Sequence, residues 1–296
     1  MSSSVLSPPS SSESRSNLAS TWLKRFKPAI WLVPFALFFY LFQLAPMIWV
    51  LLNSFIYDGE FAFDNYIEVL DSTFMMQAFG NSLWIAVWSS IFGLAIATLL
   101  VSSLRRVDSK VRDGVIAFTN MSSNFAGVPL SFAFIIILGT NGGDYPFAQA
   151  VWLTRFRPLW MGGLLAIYIY FQIPLAVLLL YPAFDALSDD WQAAAALLGA
   201  KTSQYWAKIA LPVLSPALFG TFIILIANAI GAYASVYALT SGNYNVITIR
   251  IASLVSGDLF LEPNLAAAIS VILMALLAFI TVINQWLISK SYAGRK

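Results

Sequence analysis

The chain has 296 residues, of which 59% are hydrophobic and 10% charged, with a mean hydropathy of +0.78 and a net charge of +2. A soluble globular domain carries about 25% charged residues, so a fold surrounded by water is excluded. A charge this small leaves no footprint for nucleic acid, and the absence of cysteine and histidine removes disulfides, Cys/His zinc sites and imidazole catalysis together.

In chain order, residues 1–28 open with a serine-rich stretch containing Pro8 and Pro9 and read as a disordered cytoplasmic tail. Lys24, Arg25 and Lys27 then precede an apolar run over about 29–52. A cleaved signal has an apolar core of about 7–15 residues, so this longer run is expected to remain as a first span. Further runs lie at about 78–101, 115–139, 161–182, 213–240 and 264–288. Each meets the requirement of about 20 apolar residues for a helix crossing a hydrocarbon core about 30 Å thick. Barrel strands would alternate in polarity over about ten residues, and these runs are continuous. The expected fold is an all-α membrane protein with six transmembrane helices, its permease body at 29–290.

Basic residues set the orientation. With the N-terminus inside, the inner segments hold thirteen of the sixteen, among them Arg105, Arg106, Lys110, Arg112, Lys201 and Lys208. The outer loops hold Arg155, Arg157 and Arg250. The positive-inside rule therefore puts both termini in the cytoplasm.

Pro129 after Gly127 in the third span and Pro174 in the fourth interrupt the helical pattern, either as packing kinks or as kinks lining a path. Gly93, Ala97, Gly162 and Gly163 suit close helix packing. No span carries an Asp, Glu, Lys or Arg at mid-depth, which argues against a proton-driven carrier and leaves a sodium-coupled one open. The polar residues at depth are Asn120, Asn124, Ser131, Gln172, Asn228 and Tyr233. They serve either as hydrogen bonds between helices or, for Asn120, Asn124, Gln172, Asn228 and Tyr233, as the lining of a translocation path.

The inner segment 187–212, between the fourth and fifth spans, has its own character. Asp189 and Asp190 suit the first turn of a helix, the alanine run Ala193–Ala196 favours helix, Gly199 is a natural stop, and Ser203 can cap a second helix. Trp191, Ala195 and Leu198 are expected on one face of the first helix, and Trp206, Ile209 and Ala210 on one face of the second. Pro212 and Pro216 are then expected in the opening turn of the fifth span. The result is a helical elbow at the cytoplasmic surface, either an amphipathic connector lying on the membrane or a docking site for a soluble partner.

The segment resembles the signature loop of bacterial ABC-importer permeases, whose pattern is Glu-Ala-Ala, three residues, Gly-Ala, then aromatic, aliphatic and Leu-Pro. Ala194, Ala195, Gly199, Ala200, Trp206, Ile209, Leu211 and Pro212 fall at that spacing, and Ala193 stands where the family has glutamate. Asp189 and Asp190 are the alternative carboxylates for any ion pair with an ATPase. Gly231-Ala232-Tyr233-Ala234 with Leu239 and Gly242, and Asn264–Ser270, are similar to permeases for polyamines, iron and phosphonates. The resemblance implies the type I importer permease fold, with Ala193–Ala195, Gly199, Ala200, Trp206, Ile209, Leu211 and Pro212 as an ATPase-coupling loop. It further implies a bacterial inner-membrane location and a polyamine, ferric iron or aminophosphonate solute. The implied partners are ABC ATPase subunits that bind ATP and magnesium, a second permease subunit and an extracytoplasmic solute-binding protein.

Gly199-Ala200-Lys201-Thr202 lacks the second glycine of a phosphate-binding loop, so neither ATP hydrolysis nor a cofactor is expected in this chain. No catalytic set or metal-ligand set is legible either. Asp58, Glu60, Asp64, Glu68 and Asp71 fall together in the first outer loop and read as solvated. A transporter working alone, without an ATPase, is the alternative reading; such a carrier has no use for the elbow.

Overall fold

The computed structural model describes residues 32–138, 161–256 and 261–293, and the chain divides into two units, ending at Asn53 and beginning at Ser54. The expected tail lies outside the described residues. In the first unit, helix α1 (Val33–Asn53) is long and apolar enough to cross a membrane, and none of its residues is buried. A π-helical turn at Tyr40–Leu44 ends two residues before Pro46. Proline lacks an N–H and its ring crowds the carbonyl four residues back, so widening the preceding turn lets the helix continue.

The second unit starts with a hairpin, β1 (Ile56–Tyr57) and β2 (Glu60–Phe61), in which Tyr57 pairs with Glu60. Asp58 and Gly59 form its two-residue turn with φ of 47° and 84°, the geometry that favours Asp-Gly. Helix α2 (Asp64–Asp71) leads into α3 (Thr73–Leu104), whose start is capped by the Ser72 hydroxyl accepting from the Met75 N–H. At 1.5 Å per residue, the 32 residues of α3 reach roughly 48 Å, beyond the hydrocarbon core on both sides. Most of its buried positions are small residues, Ala78, Ser82, Ala86, Ser89, Ser90, Gly93 and Ala97, with Ile85, Val101 and Leu104 the larger ones. This face lets α6 (Met161–Asp185) pack closely against it, the most extensive helix pairing among the described residues. Pro174 and Pro182 lie within α6 without ending it.

The third span differs from the sequence expectation of one helix over 115–139. It is two helices, α4 (Ser109–Ser123) and α5 (Val128–Leu138), bent by 100° across the break. The reason is local: Gly127 takes φ +71°, which ends helical geometry, and Pro129 suits only the first turn of the next helix. The fifth span also ends earlier than residue 240. Helix α8 (Thr202–Ile230) stops at Gly231, Ala232 leaves helical geometry at φ −77°, ψ 83°, and a separate α9 (Tyr233–Thr240) begins. α10 (Ile247–Ser256) is a short apolar helix, and α11 (Pro263–Ala293) is the last span. Among the described residues, five helices are long and apolar enough to cross a membrane, or six segments counting the bent pair as one.

Two buried clusters hold the second unit together. One gathers Ile85, Leu130, Leu164, Ile167, Ile226, Ile247 and Ile269 from α3, α5, α6, α8, α10 and α11. The other gathers Ala97, Val101, Ala176, Leu180 and Phe184 with Leu187, Ala195, Tyr205, Ala210 and Leu214. The second cluster thus takes in the elbow as part of the same packed interior. A buried polar group on α3 and α6 adds to it: the Gln172 amide lies 2.6 Å from Ser89 Oγ and 3.3 Å from Ser90 Oγ. In the orientation that satisfies every neighbour, the Gln172 oxygen accepts from Ser89 and its nitrogen donates to the Leu225 carbonyl of α8 at 3.2 Å.

Candidate coupling elbow and central cavity

The elbow begins where α6 ends. Ser188 caps helix α7 (Asp189–Leu197), its hydroxyl accepting from the Asp190 N–H at 3.2 Å, and both aspartates sit in the first turn. At the other end the Gly199 N–H donates to Ala196 O at 2.9 Å and the Ala200 N–H to Ala195 O at 3.0 Å. This paired closure needs a left-handed residue between its two bonds, and Gly199 has φ +78°. A Cβ at Gly199 would meet nothing within 4 Å, so the requirement for glycine is conformational rather than steric. The next helix starts at Thr202 rather than at a Ser203 cap, and the Lys201 N–H is taken by Gln204 Oε1 at 2.8 Å. That helix does not stop before the fifth span: it is the fifth span. A π-helical turn at Trp206–Ala210 accommodates Pro212 well inside α8, just as the turn before Pro46 does in α1.

Of the predicted coupling residues, Ala195 is buried, Ala200, Trp206 and Ile209 are half-buried, and Ala193, Ala194, Gly199, Leu211 and Pro212 are exposed. Trp206 lies against Phe184 and Tyr205, with ring centroids 6.3 and 6.1 Å apart. The expected shared face of Trp191, Ala195 and Leu198 is split. Ala195 points into the second cluster, while Leu198 caps the helix end and, with Leu197, is about nine-tenths exposed. Periodicity fails here because the helix ends at Leu197, so Leu198 no longer follows the 100° step.

A residue that the sequence reading uses only for topology holds the elbow in place. Arg105, directly after α3, donates from Nη2 to Leu187 O at 2.6 Å and to Asp189 Oδ1 at 2.6 Å. Asp189 is therefore engaged within the chain rather than free for a partner. Asp189 is almost fully exposed, and exposed ion pairs contribute only about 0–1 kcal/mol, so this contact sets position more than stability.

A cavity of about 710 Å³ opens between the two broken spans. Ser123, Ala126 and Gly127 line it from the α4–α5 break, and Asn228, Gly231, Ala232, Tyr233 and Ser235 from the α8–α9 break. The breaks are pinned by side chains: Ser131 Oγ donates to Ser235 O at 3.0 Å and Tyr168 Oη to Ala232 O at 3.1 Å. Of the predicted path residues, Asn228 and Tyr233 line this cavity. Asn120 and Asn124 are exposed and lie outside its lining, with the Asn124 amide donating to Asn120 O. Gln172 is fully buried in the α3–α6 polar group and does not face the cavity, because its amide is spent on Ser89 and Ser90. Among the described residues, no three acidic side chains converge in a way that would hold a metal ion.

Known proteins resemble this chain in sequence and in fold. Residues 91–291 match the model of a family described as binding-protein-dependent transport system inner membrane component. An sn-glycerol-3-phosphate transport system permease protein from Escherichia coli O6:K15:H31 is 25% identical over 300 residues, covering 92% of this chain and 96% of the relative. A ferric transport system permease protein from Actinobacillus pleuropneumoniae is 22% identical over 280 residues and 88% of this chain. The chain spans 38% of that relative's length and 41% of a similar Haemophilus influenzae protein's. In fold, a chain from a crystal structure of a bacterial ABC transporter involved in importing the acidic polysaccharide alginate superposes with a TM-score of 0.74 at 18% identity, over 93% of this chain and 99% of that one. With more than half of its length matched by one family model, the chain belongs to the inner membrane components of binding-protein-dependent transport systems.

Proposed function

We infer that this chain is the permease subunit of an ATP-binding-cassette importer, passing a small polar solute inward by alternating access. The observation that carries the reading is the elbow: α7 shares a packed interior with α3, α6 and α8, yet turns Leu197 and Leu198 outward. Two adjacent leucines in water on the side rich in basic residues suit a docking groove on a soluble partner. ATP hydrolysis, with its magnesium, falls to separate ATPase subunits seated on α7, and a second permease completes the path. An extracytoplasmic solute-binding protein delivers the solute at the opposite face, and both termini lie in the cytoplasm.

The solute belongs, in this reading, to the polyamine, ferric iron or aminophosphonate class. The similarity of 231–242 and 264–270 to such permeases supports it, as does the ferric transport relative; the glycerol phosphate relative widens the field. The cavity is lined by the hydroxyl-bearing Ser123, Tyr233 and Ser235, by Asn228, and by apolar residues such as Phe171 and Leu175. That lining suits a passage that hands the solute on, leaving selection to the binding protein.

Affinity purification from the native membrane tests this. Co-purification of an ATPase and a second permease is the expected result. A chain that purifies alone and still transports in proteoliposomes without ATP would make it a stand-alone carrier.

A further inference from the structure

We propose that Arg105 is a positioning residue that orients the elbow from inside the chain, by its grip on Leu187 and Asp189 at the start of α7. The inference rests on the reading of the elbow as the coupling element.

Three observations converge. First, the side chain of Arg105 is only 20% exposed, and its one nitrogen Nη2 serves two acceptors, Leu187 O and Asp189 Oδ1, both at 2.6 Å. These acceptors bracket Ser188, the cap of α7, so the guanidinium grips the point about which α7 would swing. Secondly, Leu187 is itself buried against α3 and α6, which leaves the grip little slack. Thirdly, Asp189 and position 193 are four residues apart on α7 and share a face. The sequence carries alanine at 193 and a carboxylate one turn earlier, where the chain's own arginine takes it. An acid at 193 would point outward for a partner, since Ala193 is exposed. The carboxylate at 189 instead fastens the elbow to the end of α3, and a push on α7 is passed directly to the second span.

The arrangement uses one nitrogen rather than the guanidinium fork, so lysine can replace arginine here, whereas an apolar side chain of similar length cannot. The chain has no cysteine, which makes site-specific labelling direct. Nitroxide labels at Ser103→Cys and Gln192→Cys, both exposed, report the α3–α7 distance by pulsed electron paramagnetic resonance. The sample is the complex purified from the native membrane, nucleotide-free and then with Mg-ATP and vanadate. With Arg105 present, one narrow distance distribution is expected in both states. Arg105→Met is expected to widen it at least about twofold and make it shift with nucleotide, while the same amount of ATPase co-purifies; Arg105→Lys is expected to restore the narrow distribution. A distribution in Arg105→Met as narrow as the parent's, in both states, overturns the proposal. If Arg105→Met does not accumulate, Arg105→Gln, too short to reach both Leu187 O and Asp189, carries the same labels and the same criterion. Should the parent chain bring down no ATPase, the coupling reading fails by itself, and the label widths still report whether Arg105 holds α7.

Discussion

Gly199 illustrates how little a contact map alone says about a residue. Its neighbourhood is empty, so any side chain fits, but φ +78° costs an ordinary L-residue about 1–2 kcal/mol. Asparagine and aspartate tolerate that region. Gly199→Asn is therefore expected to keep ATPase co-purification within about twofold of the parent. Gly199→Asp has the same shape plus a charge, and it is expected to insert normally yet lose at least about tenfold of the bound ATPase. Equal behaviour of the two would mean that nothing docks closely at this turn. Gly93 is the opposite case. A Cβ there would stand 3.1 Å from Gln172 Cβ, tighter than ordinary contact, so a side chain at 93 would have to shift the facing helix. Overpacking of this kind costs about 1–3 kcal/mol, and Gly93→Val should lower the melting temperature in detergent by several degrees. An unchanged melting temperature would show that α3 and α6 have slack at this level.

At the scale of elements, the two breaks matter more than any single side chain. α4–α5 and α8–α9 each unwind in an apolar environment, which a membrane tolerates only where the freed backbone groups find partners or line a cavity. Here Ser131 and Tyr168 donate to carbonyls of the second break, local bonds such as Phe125 N–H to Ser122 O and Ala232 N–H to Ala229 O take up further groups, and residues of both breaks line the 710 Å³ space. Single cysteines in the otherwise cysteine-free chain should report this division. Asn228→Cys is expected to react with a water-soluble maleimide at least about tenfold faster than Ser131→Cys, which is buried. Comparable rates would place Asn228 away from water and remove the cavity as a path. Polarity at depth in the sequence picks out Asn228 and Tyr233, but the same criterion also selects Gln172. An amide that bonds other helices and one that faces a cavity look alike in sequence; only the presence of Ser89 and Ser90 across the helix pair distinguishes them.

For the whole molecule, sidedness is the property with the most consequence. The hairpin at Asp58–Gly59 and the turn at Leu197–Leu198 are expected on opposite sides of the membrane. Asp58→Cys should be labelled by an impermeant thiol reagent in spheroplasts, and Leu197→Cys only after permeabilisation. The reverse pattern would invert the topology and put the elbow out of reach of any cytoplasmic ATPase.

Much of this molecule is set by local chemistry, and local chemistry can be read in one dimension. Lengths of apolar runs, basic residues flanking them, the acidic first turn of α7 and the glycine that ends it are all decided within a few residues by solvation and backbone geometry. Even so, the sequence suggests a division between the elbow's second helix and the fifth span at Pro212, and the two are one helix, because a π-helical turn absorbs the proline. The outward turn of Leu198 has a local cause as well, the end of α7 at Leu197. Only the tertiary structure decided that Arg105 reaches 84 residues ahead to Asp189 and that Gln172 turns towards α3. It likewise decided that two interrupted helices face one cavity. Each of these depends on which helix faces the next, and a sequence states the periodicity of a helix face without naming the neighbour that covers it.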